Sequence, residues 1–212
     1  MTTVDNRRVA GVLMAGGLSR RMGGGDKCLQ LLAGRPILAH IIERAGPQVG
    51  PLVLNANGDP ARFEAFALPV AADVVEGFAG PLAGVLTGLE WAAEHAPDCR
   101  WLASFACDAP FLPPDLVARL LAAVEDEGAE LACAASLGRA HPVFGLWPLA
   151  LRDDLARAMR EEQVRKVDIW TARYRLATVD FPEAETGAGP LDPFFNTNRP
   201  EDLEQAERFA AG

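Results

Sequence analysis

The apolar run Val9 to Ala15 breaks abruptly into a loop of glycines and cations, so that residues 10–27 read AGVLMAGGLSRRMGGGDK. A run this short and this apolar reads as a buried strand that delivers a loop at its carboxyl end. That pairing directs the chain toward α/β folds, whose ligand sites lie outside the ends of parallel strands. Gly16, Gly17, Gly23, Gly24 and Gly25 carry no Cβ, so several backbone N–H groups can converge on one anion. Arg20, Arg21 and Lys27 stand against the single carboxylate of Asp26 on a chain whose net charge is −9. A basic island on an acidic protein implies a specific anion, and a flexible surface loop with scattered charges is the competing account. The loop is not a P-loop, because Cys28 follows Lys27 where a hydroxyl should reach magnesium. No GxGxxG spacing occurs either.

At 212 residues the chain suits one α/β domain and can bury a full core. We expect a single domain over 1–212, made of two halves at about 9–110 and about 111–205. Half the residues are hydrophobic and 23% are charged, which describes a globular protein and not a disordered one. The negative charge argues against nucleic-acid binding. No apolar stretch approaches the roughly 20 residues that cross a bilayer, and MTTVDNRR lacks a signal-peptide core. We expect a cytoplasmic protein with no membrane partner. Cys28, Cys99, Cys107 and Cys133 form no CxxC pair, and His40, His95 and His141 are dispersed, so no zinc pattern emerges. The cysteines read as reduced, buried apolar residues. Cys28 differs in adjoining Lys27, where a cation favours thiolate, but no catalytic role follows.

Along the chain, Leu29 to Leu32 is a short apolar piece and Gly34-Arg35-Pro36 a turn before a helix over Ile37 to Ala45, with His40 a packed core histidine. Pro51 to Leu54 reads as a strand ending on Asn55-Ala56-Asn57-Gly58-Asp59, whose amides suit either a base or an Asx turn. A short helix over Pro60 to Phe66 and a small strand, Leu68 to Ala72, lead to Asp73. GPLAG at 80–84 opens a helix to about Glu94, with proline in the tolerated first turn and small residues that admit close approach. Trp101 to Cys107 is the most apolar strand candidate and ends on Asp108. A carboxylate there faces the crevice and suits magnesium, which takes one or two carboxylates plus phosphate oxygens and water.

Leu116 to Val124 reads as an amphipathic helix, followed by a solvated acidic turn over Glu125 to Glu130. Two strands, Leu131 to Ala135 and Val143 to Trp147, flank a turn at Gly138-Arg139-Ala140, and Leu149 to Arg160 reads as one helix. Arg165 and Lys166 precede a helical run to about Arg173 and are either surface charges or a phosphate contact for the acceptor. Arg175 to Phe181 reads as a strand, 182–193 as a loop, and Asn198 as a cap for a helix starting at Pro200.

Several stretches in order resemble the molybdenum cofactor guanylyltransferase (MobA) family: the AGGxSRRMGGxDK loop at 15–27, PILAHIIERAGPQV at 36–49, the NAN at 55–57, GPLAG, CDAPFLP at 107–113, HP at 141–142, and FFNTNRPED at 194–202. Met14 stands where the family more often has leucine, and Ala109 replaces a threonine. The resemblance implies a single-domain, Rossmann-like nucleotidyltransferase fold with a mostly parallel central sheet flanked by helices. It implies GMP transfer from GTP to the molybdopterin cofactor, with Mg2+, giving the guanine dinucleotide and pyrophosphate. In that reading Lys27, Asp108 and Arg21 are catalytic and Asp108 holds the metal. Met14, Ala15, Gly16, Gly17, Arg20, Lys27, Asn55, Asp73 and Asp108 bind the nucleotide, while Arg165, Lys166, Asn196 and Asn198 bind the acceptor. A molybdopterin-delivering protein and apo-molybdoenzymes are expected partners. Positioning and charge neutralisation suffice for this chemistry, and no nucleophile elbow is present. The rival readings are a CTP-dependent cytidylyltransferase on the same pterin and a non-catalytic cofactor-carrying adaptor.

Overall fold

A computed structural model of the chain describes residues 8–15, 26–75, 77 and 80–211. The run that opens the glycine loop is β1 (Val9–Met14), and it lies in the interior of a seven-stranded sheet. Its alternate residues part to two faces. Val9 and Leu13 enter one core, with Ile37, Leu38 and Ile41 of α1 (Ile37–Ala45) and Leu120 of α3 (Leu116–Glu127). Ala10 and Val12 enter the other, with α2 (Pro81–His95), α4 (Arg152–Arg160) and α5 (Val167–Thr171). Burial on both faces is why β1 reads as continuously apolar.

The remaining strands of the sheet are β4 (Leu52–Asn55), β5 (Val70–Ala71), β6 (Trp101–Ala106), β7 (Leu131–Ser136), β8 (Arg139–Pro148) and β9 (Leu176–Asp180). Their order is β5-β4-β1-β6-β8-β7-β9, and only β8 runs against its neighbours. Small hairpins lie outside the sheet: β2 (Leu31–Leu32) with β3 (Arg35–Pro36), and β10 (Ala184–Thr186) with β11 (Gly189–Leu191). α6 (Pro200–Ala211) packs Ala206 into the first core. The expected α/β fold with a mostly parallel, helix-flanked sheet is the one observed. Among the described residues no helix is long and apolar enough to cross a membrane.

Four local readings change. α3 runs on through Glu127 and stops at Gly128, whose φ of 62° only glycine takes freely, so Glu125 to Glu127 belong to the helix. The β7–β8 turn is Leu137-Gly138, both at positive φ, as a two-residue hairpin requires; Arg139 and Ala140 already pair in β8. A 3-10 turn, Leu149–Leu151, precedes α4. Residues 184–191 are the β10–β11 ribbon instead of an unstructured loop.

β8 carries the departure from regularity that opens the site. Cys133 pairs with Gly145 but Ala134 with His141, leaving residues 142–144 outside the ladder. Pro142 has no N–H to lose. Ser104 of β6 secures the irregularity: its Oγ donates to the Val143 carbonyl at 2.6 Å and accepts from Gly145 N–H at 3.3 Å and Trp147 Nε1–H at 2.8 Å. Pairing of β6 with β8 therefore stops at Ala103–Leu146. Beyond it the two strands part, and a cleft begins.

Candidate active site

A cleft of about 540 Å³ opens at the carboxyl ends of β1, β4 and β6. It is lined by Met14 and Ala15 at the end of β1, Lys27 and Cys28, Asn55 and Asp73 with Gly80, Pro81 and Gly84 at the start of α2, Asp108 after β6, and Arg139 to Phe144 of β8 with Asn196. Strand ends far apart in sequence thus meet where parallel sheets bind ligands. Gly16, Gly17, Arg20 and Arg21 lie outside the described residues.

On the wall formed by β4 and the segment after β5, three side chains are interlocked. Asn55 Nδ2 donates to Asp73 Oδ1 at 2.9 Å and to the Ala71 carbonyl at 3.2 Å. Asn57 Nδ2 donates to Asp73 Oδ2 at 2.8 Å, and Asn57 Oδ1 accepts from the Asp73 N–H at 2.9 Å. The amide donors are committed to Asp73, so its carboxylate is the group this wall offers to a ligand's donors. Asn57 was outside the site proposed from sequence, and an Asx-rich strand end was its only signal. α2 comes close here: a Cβ on Gly84 would stand 2.7 Å from Asn55 Oδ1 and 2.8 Å from Met14 Sδ. One turn on, a Cβ on Gly88 would stand 2.8 Å from both Leu102 Cδ2 and Val12 Cβ.

Beside Lys27, Asp26 pairs with Arg62 Nε at 2.5 Å, and Arg62 also donates to the Asn57 and Asp59 carbonyls. The exit of the glycine loop is thereby tied to the Asn55–Asp59 turn. Lys27 Nζ donates to Asn198 Oδ1 at 2.9 Å. Asn198 therefore spends its side chain on Lys27 and does not cap α6. Asp202 does that instead, reaching back to the N–H groups of Asn198 (2.9 Å) and Arg199 (2.8 Å). Thr197 N–H and Oγ1–H both donate to the Asp108 carbonyl, at 2.8 and 3.0 Å, which seats Asn196 in the cleft.

Burial raises the Asp108 carboxyl above its usual range, with Lys27 and a backbone hydrogen bond opposing. A desolvated carboxylate partly matched by one lysine calls for further positive charge. Among the described residues no group of three or more His, Cys, Asp or Glu could hold a metal. That excludes a closed protein cage there but fits an ion that keeps its waters and takes phosphate oxygens, as magnesium does. Cys28 is buried, and burial together with Asp26 pushes its thiol up to about 12, so the thiolate suggested by the adjacent lysine does not form near neutrality. All four cysteines are buried, and none forms a disulfide among the described residues. His40 is half-buried and outside the core clusters, contrary to the core placement expected, but it is hydrogen-bonded, its Nε2 2.8 Å from the Leu32 carbonyl.

Arg165 and Lys166 do not line the cleft. The Arg165 guanidinium donates to the Met159 and Val164 carbonyls at 2.6 and 3.0 Å and to Gln163 Oε1 at 2.7 Å, closing the end of α4. Its carbonyl oxygen lies 3.4 Å from where a Cβ on Gly80 would stand, so this segment meets the cleft through its backbone. In their place the sequence reading overlooked Arg139 and His141. The HP dipeptide after a turn was visible, but nothing local tied it to the cleft.

A mostly parallel sheet whose strand ends bring Lys27, the buried Asp108 carboxylate and the Asn55–Asp73 pair into one cleft is the arrangement of a nucleotide-handling α/β enzyme. Residues 11–175 match the model of the MobA-like NTP transferase domain. A molybdenum cofactor guanylyltransferase from Bradyrhizobium sp. (strain ORS 278) is 57% identical over 211 residues, covering 100% of this chain and 97% of that protein. One from Rhodopseudomonas palustris (strain BisB5) is 55% identical, covering 99% and 98%. The chain belongs to the molybdenum cofactor guanylyltransferase family, within the MobA-like NTP transferases. A crystal structure of molybdopterin-guanine dinucleotide biosynthesis protein A from Archaeoglobus fulgidus shares the fold, with a TM-score of 0.69 at 21% identity over 95% of this chain and 98% of that one. The cytidylyltransferase and adaptor readings are not favoured by these relatives.

Proposed function

We propose that this chain transfers GMP from GTP to the terminal phosphate of the molybdopterin cofactor, releasing pyrophosphate and molybdopterin guanine dinucleotide. The observation that carries the reading is the shared cleft: Lys27 and Asp108 line it together with Asn55, Asp73 and Asn196, so one cavity can take both a nucleotide and an acceptor. The acceptor phosphate oxygen attacks the α-phosphorus, and the bond to the β-phosphate breaks. Lys27, with Arg20 and Arg21 of the glycine loop, neutralises the departing pyrophosphate. The Gly16–Gly17 backbone cradles the phosphates, Met14 and Ala15 support the nucleotide from below, and Asn55 holds Asp73 against the nucleoside. Asp108 would hold Mg2+, which when bound supplies charge neutralisation at the phosphates.

Residues up to about 110 serve the nucleotide in this reading, and those beyond serve the acceptor. Asn196 and Asn198 act on the acceptor side, Asn198 through Lys27. Arg165 and Lys166 contribute at most field and backbone there, since the guanidinium is engaged elsewhere. The enzyme would work in the cytoplasm, where its buried cysteines stay reduced, with a molybdopterin-delivering protein and apo-molybdoenzymes as partners. The test is pyrophosphate release with magnesium, molybdopterin and either GTP or CTP. Release with GTP is expected. Release with CTP alone would overturn the choice of base, and none with either would overturn the transferase reading.

A further inference from the structure

A second chain of groups reaches the cleft from the β7–β8 side, through His141. Ser136 Oγ donates to Asp192 Oδ1 at 2.7 Å and lies 2.7 Å from His141 Nε2. A serine hydroxyl has one proton. Because that proton goes to Asp192, the imidazole must supply the proton of the second bond, so Nε2 carries hydrogen and Nδ1 keeps the lone pair. Phe194 backs the ring at 4.7 Å between centroids and is itself packed on Phe144 and Phe181, so the imidazole is held by both an edge and a face. His141 lines the same cleft as Lys27, Asp108 and Asn196, and Nδ1 makes no hydrogen bond among the described residues. The charged groups that act on it are Asp192, from the segment after β11, and Arg139 of its own strand.

An acceptor that ends in a phosphate monoester has a second ionisation near pH 6, so it arrives as a mixture of monoanion and dianion. We propose that His141 receives the acceptor's terminal phosphate through one shared proton at Nδ1, with Ser136 and Asp192 as positioning residues that fix the tautomer. This rests on the guanylyltransferase reading above. The proton of the phosphate O–H moves to Nδ1 as that oxygen forms its bond to the α-phosphorus. The α-phosphorus–oxygen bond to the β-phosphate breaks, its electron pair leaves on pyrophosphate, and the imidazolium later returns the proton to water. Asp192 lies beyond Ser136 to stabilise the transient positive charge. Burial, aided by Arg139 and opposed by Asp192, holds the imidazole below its ordinary range, which keeps it neutral and ready to accept.

His141→Gln tests this, because its amide nitrogen can stand where Nε2 stood and keep the Ser136 bond while Nδ1 is lost. Expected are a KM for molybdopterin raised about tenfold or more, the scale of one hydrogen bond to a charged group, a lower kcat, and an unchanged KM for GTP and melting temperature. Across about pH 4 to 9 the native enzyme should lose rate at both ends, since the shared state holds one proton, whereas the variant should climb and level as the dianion forms. Nitrogen NMR of the native imidazole should show the Nε2–H tautomer, and Ser136→Ala should mix the two. A variant with native pterin KM and native pH profile, or an Nδ1–H tautomer in the native protein, would overturn the proposal. Failure of the native enzyme to release pyrophosphate with GTP would instead remove the reading beneath it.

Discussion

Gly84 and Gly88 sit one turn apart on the same helix, yet the same substitution at each should have separable effects. At Gly88 the added methyl meets Leu102 and Val12, both core residues. Overpacking of this kind costs about 1–3 kcal/mol, and replacing glycine by alanine within a helix returns about 1 kcal/mol. Gly88→Ala should therefore lower stability by up to about 2 kcal/mol, roughly 4–8 °C in Tm for a chain of this size, with GTP binding intact. At Gly84 the methyl meets Asn55 Oδ1 and Met14 Sδ. Methionine can swing aside, but the asparagine is pinned by Asp73 and the Ala71 carbonyl, so the clash displaces the amide. Losing its bond to the Asp73 carboxylate is worth about 1.5–3 kcal/mol, which corresponds to roughly a 10- to 150-fold weaker nucleotide if the wall is needed to bind it. The assay is GTP affinity beside thermal unfolding for both variants. A Gly84→Ala protein that binds GTP as the native does, or a Gly88→Ala protein that loses GTP equally, would refute the assignment of this wall to the nucleotide.

Asp108→Asn should abolish pyrophosphate release yet raise the melting temperature at pH 7. Burial raises the folded-state pKa of this carboxyl, so its ionised form destabilises the fold above the unfolded value, and the penalty fades as pH falls through the folded value. The gain in the variant should accordingly shrink in acid, and a lower melting temperature at pH 7 would contradict burial as the dominant cause. With its thiol pushed up to about 12, Cys28 should resist iodoacetamide at pH 8 in the native protein, and Cys28→Ala should turn over normally. Rapid labelling of Cys28, read by mass spectrometry, would be the contrary result.

Where periodicity and caps act within a few residues, the fold was legible. α1 has the bounds that its pattern and the preceding Pro36 set, and Asp108 could be placed because an apolar strand ends on it. The irregularity in β8 was not legible, because it depends on Ser104, 39 residues earlier than its acceptor at Val143. Arg139 and His141 were missed with it. The β10–β11 ribbon escaped because three-residue strands among glycine and proline carry no period-2 signal. Asn198 was read as a cap from its neighbours in sequence, whereas its side chain answers to Lys27, 171 residues away. Arg165 erred similarly, since a basic pair says nothing about which carbonyls lie within its reach.

That long reach between Lys27 and Asn198 also bears on when the protein can work during its own synthesis. Thr197 fastens to Asp108, Asn198 to Lys27, and Glu207 accepts from the Ala33 N–H at 2.9 Å. Polypeptides leave the ribosome N-terminal end first, and early segments can fold while later ones are still being made. Here β1, β4 and β6 can assemble their strand ends early, but a nascent chain reaching only to α5 has neither the clasp on Lys27 nor the Thr197 anchor under Asp108. The cleft around Lys27 and Asp108 would stay unfinished until the 194–207 segment had been translated and docked.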